Sequence, residues 1–261
     1  MTSLGRGFGL FLRAVAVIAF VYLLGPLFVI VAASLSDTGY LAFPPQGLSL
    51  RWYQSALADT RYLDGFLISV RLALSVAALS LVIGTAAAVA LTRFRFPGRG
   101  FIEAFFLSPL MLPGLVLAVA LTLFFASTAL VPPGMTRLIV SHLIVGVPLV
   151  LRVMLPVLRR VDRSIEEAAR NLGASPFQAF LLVTLPALRP GLFAAAALAF
   201  IFSFDEVEMA LFVGSAREAP LTVVLYGAAQ MAFDPTVAAV SSLLILLALI
   251  LMVAQQLYAQ R

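Results

Sequence analysis

The sequence contains no lysine and no cysteine, and it has a single histidine, His142. Without lysine, the chain cannot carry a Walker A lysine, a Schiff-base lysine or a pyridoxal phosphate anchor. Without cysteine it can form no disulfide, iron–sulfur cluster or thiolate zinc site, and one histidine cannot make a multi-histidine metal site. We therefore expect no metal and no cofactor in the chain, and any energy source must be supplied by another molecule.

Charged residues are also scarce, at 11% of 261 residues, whereas 62% of the residues are hydrophobic and the mean hydropathy is +1.09. This composition lies far outside the range of soluble domains, so it predicts an integral membrane protein. All 17 basic residues are arginines, which give a net charge of +5. They lie in short segments between apolar runs rather than on one clustered face, so no nucleic-acid partner is predicted.

Six apolar segments are long enough to cross a hydrocarbon core of about 30 Å, which needs roughly 20 residues. The sequence therefore predicts an all-α, polytopic membrane protein that forms a single domain over 1–261. The first segment follows Arg6 and resembles a signal peptide, but its length and the lack of a cleavage site predict a retained helix. The predicted spans are 10–33, 66–91, 101–126, 138–158, 191–213 and 236–257.

The arginines predict the orientation of these spans. Eleven lie at the two termini and in the second-to-third and fourth-to-fifth connections, whereas only four lie in the other connections. Because positively charged connections stay in the cytoplasm, both termini and the long connection 159–190 are predicted to be cytoplasmic. Two further arginines lie within spans: Arg71 is expected to snorkel to the interface, and Arg152 to face protein or water.

The connection 159–190 gathers charges, a glycine and prolines in an otherwise apolar chain. Ser164 and Glu167 have the spacing of a capping box, which predicts a short helix ending at Leu172. Gly173 follows where a left-handed residue is needed. Ser175 and a following proline predict the start of a second helix, and Pro186 and Pro190 predict its end. The result is a rigid helical hairpin, typical of a docking element for another protein.

The spacing within this connection resembles a known motif. Glu167-Ala168-Ala169, three residues, Gly173, nine residues and then Val183-Thr-Leu-Pro186 are similar to the cytoplasmic EAA loop of binding-protein-dependent ABC importer permeases. One position departs from that pattern, since Val183 replaces isoleucine. The resemblance implies that Glu167, Ala168, Ala169 and Gly173 form the coupling helix, which docks on an ATPase subunit.

The resemblance also implies a type I ABC importer permease fold in a bacterial inner membrane. The chain would not be an enzyme and would have no catalytic residue, because two copies of a separate ATPase subunit would bind ATP and magnesium. An extracytoplasmic binding protein would deliver the substrate. A second permease would complete the pore; the sequence leaves open whether this is another copy or a sister chain, and the resemblance favours a sister.

Further stretches narrow the resemblance to one group of these importers. "SLRWYQSAL" (Ser49–Leu57), "AVALTRFRFPGR" (Ala88–Arg99), "SHLIVGVPLV" (Ser141–Val150) and "SFDEVEMALFVG" (Ser203–Gly214) are similar to the second permease of spermidine/putrescine importers. Related permeases for opines, aminophosphonates, thiamine and ferric iron share this framework and remain alternatives. An ion-coupled secondary transporter is a further alternative, but repeated broken helices would then be expected, and the two halves of the sequence contain no convincing repeat.

Three carboxylates in the fifth predicted span suggest a substrate pathway. Asp205, Glu206 and Glu208 lie about 21–26 Å from the cytoplasmic start of that span at 1.5 Å per residue, and intramembrane carboxylates are costly unless they function. On an uninterrupted helix Asp205 and Glu208 share one face. They are predicted to attract polyamine ammonium groups, with Phe204 as a cation–π face. The alternative is a helix break near Phe204 that leaves the carboxylates in an external loop, beside the binding protein or Arg71.

Overall fold

The computed structural model describes residues 6–128, 130–231 and 234–259, and within them all regular structure is helical. Among the described residues five helices are long and apolar enough to cross a membrane, and the number is six if a bent helix pair counts as one span. This confirms the predicted all-α fold. The helices are α1 Arg6–Ser34, α2 Arg51–Ala58, α3 Thr60–Arg93, α4 Arg99–Leu107, α5 Gly114–Thr128, α6 Met135–Arg160, α7 Arg163–Asn171, α8 Pro176–Ala179, α9 Leu185–Asp205, α10 Glu208–Val213, α11 Leu221–Met231 and α12 Pro235–Ala259.

The described residues form two compact units, Asp64–Val224 and Met1–Leu63 with Leu225–Arg261. In the first unit α3, α6 and α9 share a core of leucine, valine, methionine and alanine side chains. Glycines allow these helices to approach closely: a Cβ on Gly84 would lie 2.8 Å from the Val150 side chain, and one on Gly191 would lie 2.9 Å from Val157. Small residues at helix contacts are typical of membrane proteins, where dispersion contacts replace the hydrophobic effect.

The second unit joins α1, α2 and α12 through polar contacts at the end of α1. The Tyr53 hydroxyl lies 2.6 Å from the Ser34 hydroxyl, and the Ser242 hydroxyl donates to Ser34 across 3.2 Å. The Trp52 indole donates to the Ser36 carbonyl oxygen across 2.9 Å. These bonds fix the short helix α2 against the long helices α1 and α12.

The third predicted span, 101–126, is two helices rather than one. The segment Arg99–Met111 and helix α5 meet at an angle of 103°. A short 3₁₀ helix, Ser108–Met111, ends at Leu112, whose extended backbone suits a residue before proline. Pro109 and Pro113 flank this bend. Because each lacks a backbone amide hydrogen, the helix is broken here rather than only kinked.

The fifth predicted span, 191–213, also differs from a single helix. It begins earlier, because α8 continues through a π-helical segment, Phe180–Thr184, directly into α9. The prediction that Pro186 and Pro190 end the loop helix is therefore wrong. Pro186 lies in the first turn of α9, where a missing amide hydrogen is tolerated after the π-helical segment. The span then ends at Asp205, and α10 starts at Glu208.

Candidate functional site

The connection after α6 starts with a capped helix, α7. The Asp162 carboxylate accepts a hydrogen bond from the Ser164 backbone amide at 2.9 Å. The predicted capping box at Ser164 and Glu167 is therefore wrong: the helix starts at Arg163, so Ser164 already lies within its first turn. The bonds from the Ser164 backbone and side chain hold the pKa of Asp162 below its usual range, because they favour the charged carboxylate.

A sharp corner follows α7, as predicted. Gly173 has a φ of +96°, in the left-handed region that favours glycine. The Gly173 amide donates to the Arg170 carbonyl oxygen, and the Ala174 amide donates to that of Ala169. Ser175 then caps α8: its hydroxyl accepts from the Gln178 amide, and the Gln178 side chain accepts from the Ser175 amide. The predicted helix, glycine corner and helix are confirmed.

The motif residues of this hairpin lie largely at the surface. Glu167, Ala168 and Gly173 are exposed, and Ala169 is half-buried. Glu167 borders a shallow groove of about 320 Å³. The other residues that line this groove are Arg170, Asn171, Ala174 and Pro176. The groove sets a carboxylate beside a guanidinium and an amide in reach of an approaching protein.

An exposed apolar stripe on α7 was not predicted from the sequence. Ile165 and Ala168 of α7, with Leu172 at its C-cap, follow the i, i+3, i+7 spacing of one helix face. Ile165 is 57% exposed and Leu172 is 90% exposed, and Phe177 beyond the corner is 70% exposed. A short amphipathic helix that turns its apolar side outward is suited to a protein partner. The spacing was present in the sequence and was the signal for this surface.

The three carboxylates of the candidate pathway surround the break between α9 and α10. Asp205 ends α9 and is exposed, Glu206 is half-buried in the connection, and Glu208 begins α10 and is exposed. The premise that Asp205 and Glu208 share one helix face is therefore wrong. Glu206 accepts from the Met209 amide at 3.1 Å and so fixes the start of α10.

Glu208 reaches the beginning of a different helix. Its carboxylate lies so close to Gly114, the first residue of α5, that a Cβ at Gly114 would collide with it. The amides in the first turn of a helix lack partners, and the helix dipole favours a negative charge there. The two helix breaks, between α4 and α5 and between α9 and α10, thus come together around Glu208.

Phe204 belongs to a row of aromatic rings next to these carboxylates. Its ring centroid lies 6.0 Å from that of Phe66 in an edge-to-face arrangement and 5.9 Å from that of Phe200 in a stacked one. One residue earlier, the buried Ser203 hydroxyl lies 2.9 Å from Nδ1 of the fully buried His142. This contact links the end of α9 to α6.

Arg71 and Arg152 are both exposed in the isolated chain. The ion pairs found among the described residues join Asp37 with Arg51, Asp59 with Arg61, Glu166 with Arg93 and Glu103 with Arg159. Arg71 takes part in none of these, so within the described structure it does not neutralise the carboxylates after α9.

Comparison with known proteins identifies the family of this chain. The family model described as "Binding-protein-dependent transport system inner membrane component" matches residues 80–261. The chain is 30% identical over 237 residues to the putrescine transport system permease protein PotI of Escherichia coli strain K12, covering 88% of this chain and 84% of that protein. It is 28% identical to the spermidine/putrescine transport system permease protein PotC of the same strain, covering 94% and 91% of the two chains.

A solved structure shares the fold. A chain of a bacterial ABC transporter involved in the import of the acidic polysaccharide alginate matches with a TM-score of 0.77 at 19% identity, covering 99% of this chain and 98% of that one. The helical fold that this structure shares and the family model's match over residues 80–261 lead to the same conclusion. The chain belongs to the inner membrane component family of binding-protein-dependent transport systems, and it is an ABC transporter permease.

Proposed function

We propose that the chain is the membrane-spanning subunit of an ATP-driven importer for polyamines such as putrescine and spermidine. Such a subunit must bind an ATPase. The observation that supports this binding is the outward-facing apolar stripe of α7, formed by Ile165, Ala168 and Leu172. It lies within the stretch that resembles the EAA loop. A cytoplasmic ATPase, present in two copies, docks on this stripe and on Glu167, Ala169 and Gly173.

The remaining partners follow from the same function. ATP and magnesium bind to the ATPase subunits, a binding protein delivers the substrate from outside, and a sister permease completes the pore. Both termini face the cytoplasm. A cluster of four arginines near the start of α7 supports this orientation, because positive charge favours the cytoplasmic side; Arg99, Arg159, Arg160 and Arg163 line one cavity of about 560 Å³ there.

The substrate class rests on the relatives and on the chemistry beside α9. PotI and PotC are described as putrescine and spermidine/putrescine permeases, and polyamines carry several ammonium groups. Asp205 and Glu208 supply negative charge at the break, and Phe204 supplies a half-buried aromatic ring. Carboxylates and aromatic faces are the groups that bind ammonium ions. Opines, aminophosphonates, thiamine and ferric iron are the other substrates to test.

Uptake in cells tests the proposal directly. In cells that lack this gene, the wild-type chain is expected to restore uptake of labelled putrescine and spermidine, whereas Glu167→Arg is not, because an arginine reverses the charge at the proposed ATPase contact. Equal abundance of both chains in the membrane is the control. Polyamine uptake that never depends on the gene would reject the substrate, and uptake restored equally by both chains would reject the docking role of Glu167.

Replacing Asp205 with asparagine is expected to weaken transport without affecting assembly. Hydrogen bonds to charged groups contribute about 1.5–3 kcal/mol, so the rate of putrescine uptake at saturating binding protein should fall roughly 10- to 100-fold. The matched control is Asp37→Asn, which neutralises an exposed carboxylate in the external connection. A normal uptake rate for the Asp205 variant, with a normal amount of copurifying ATPase, would remove Asp205 from the substrate pathway.

A further inference from the structure

Glu166, the residue before the motif glutamate, faces inward and contacts two membrane helices. Its Oε2 atom lies 3.0 Å from Nη2 of Arg93, the last residue of α3. The same Oε2 atom accepts a hydrogen bond from the Thr184 hydroxyl at 2.9 Å. Thr184 ends the π-helical segment that leads into α9. One carboxylate oxygen therefore joins α7, the end of α3 and the beginning of α9.

This joint is shielded from water. The Thr184 residue is 1% exposed, and the side chains of Arg93 and Glu166 are 14% and 23% exposed. Partly buried charges interact more strongly than surface pairs, because water screens them less. Removing one member leaves the other charge without compensation, which is strongly unfavourable. Water therefore screens this pair less than the pair of Arg159 with Glu103, whose arginine side chain is 52% exposed.

A second bond fixes α7 to the same end of α3. The Arg163 guanidinium donates to the Thr92 carbonyl oxygen. The last carbonyl groups of a helix have no partner within the helix, so this bond satisfies one of them. Arg163 and Glu166 are three residues apart on α7 and both reach α3, so they resist rotation of α7 as well as separation.

The helices held by this joint extend to the candidate substrate pathway. Helix α9 ends at Asp205 after 21 residues, a length of about 32 Å, and α3 carries Phe66, which contacts Phe204. The opposite side of α7 remains available to a partner, because Glu167, Ile165 and Leu172 are exposed. One short helix thus presents a docking side outward and a polar joint inward.

We propose that Glu166 is a positioning residue that ties α7 to α3 and α9, so that a displacement of α7 moves both membrane helices with it. This inference rests on the proposed docking of an ATPase at α7. Glu166 and Glu167 then have separate tasks: Glu167 contacts the ATPase, and Glu166 transmits the motion. Loss of Glu166 should leave the ATPase bound and active but should disconnect ATP hydrolysis from transport.

The experiment uses the complete transporter in liposomes and compares Glu166→Gln and Thr184→Val with the wild type. Copurified ATPase and the rate of ATP hydrolysis should stay within about twofold of wild type, whereas labelled putrescine transported per ATP hydrolysed should fall at least about fivefold, the lower end of typical coupling energies. Glu103→Gln is the matched control, because it breaks another cytoplasmic ion pair and should leave this ratio unchanged. The exchanged pair Arg93→Glu with Glu166→Arg should regain part of the coupling.

A second readout does not depend on the substrate. Because the chain has no cysteine, spin labels can be placed on Ser164→Cys in α7 and Phe193→Cys in α9. Their separation should be the same with and without ATP in the wild type, since the two helices move together, and should change with ATP in Glu166→Gln. A constant separation in Glu166→Gln together with unchanged transport per ATP would overturn the inference. Failure of the wild-type chain to bind an ATPase would instead reject the proposed function.

Discussion

Leu172→Asp is expected to release the ATPase from a permease that remains folded. Leu172 is 90% exposed in the chain, so its replacement removes no internal packing. Burial of a leucine side chain in a partner contributes about 1.5–3 kcal/mol, and a carboxylate in an apolar groove adds a desolvation cost. The affinity for the ATPase should therefore fall roughly 10- to 100-fold or more, as measured by titrating the detergent-solubilised permease with the ATPase.

A matched variant separates docking from a general effect of surface charge. Leu48 is 80% exposed and lies in the connection between α1 and α2, which is predicted to be external. Leu48→Asp should bind the ATPase with wild-type affinity. If Leu172→Asp also binds with wild-type affinity, the apolar stripe of α7 is not the docking surface. Burial of Leu172 against the ATPase would also explain why the sequence places a leucine at an exposed position beside Gly173.

Local sequence signals predicted the corner of the hairpin after α6. Gly173 takes up the left-handed conformation that its position suggested, and Ser175 caps the next helix as its hydroxyl and the following proline indicated. These features depend on neighbouring residues, so sequence alone carries them. The cap of α7 was wrongly placed because Asp162 and Ser164 are both good capping residues, and only the backbone at Asp162 decides between them.

The break after Asp205 depends on packing. From the sequence it was one of two alternatives, the other being a continuous helix. The sequence from Phe204 to Met209 contains neither glycine nor proline, so a continuous helix was a reasonable expectation. The break sets α10 against α5, where Met209 and Val213 join the buried core of Leu117, Leu121 and Phe125. Local propensity carries no information about such distant contacts.

The partners of Glu166 were hidden for the same reason. Arg93 lies in another span, and Thr184 follows the glycine corner, so no spacing rule connects the three residues. A sequence motif draws attention to Glu167, which is exposed, while its neighbour Glu166 makes the internal contacts. Two adjacent glutamates on a short helix point about 100° apart, and only the orientation of α7 shows which of them faces the membrane helices.

The largest loss of stability is expected for Gly84→Leu, at the contact of α3 with α6. Even the first added carbon would lie 2.8 Å from the Val150 side chain and 3.0 Å from the Val147 carbonyl oxygen. Val150 is fully buried, so it has no space into which to move. Overpacking of this kind costs about 1–3 kcal/mol for Gly84→Ala, and leucine should cost more because its remaining atoms also need room.

The control for this prediction is Gly25→Leu, because no atom lies within 4 Å of a Cβ at Gly25 in α1. Outside close contacts, replacing a helical glycine by a better helix former stabilises a helix by up to about 1 kcal/mol. The two variants should therefore change the thermal unfolding temperature of the detergent-solubilised chain in opposite directions. A Gly84→Leu chain that unfolds at the wild-type temperature would mean that α3 and α6 are not in contact at this glycine. In that case the shared core of α3, α6 and α9 would lack this contact. Helix α9 would then lose part of the support that the proposed role of Glu166 requires.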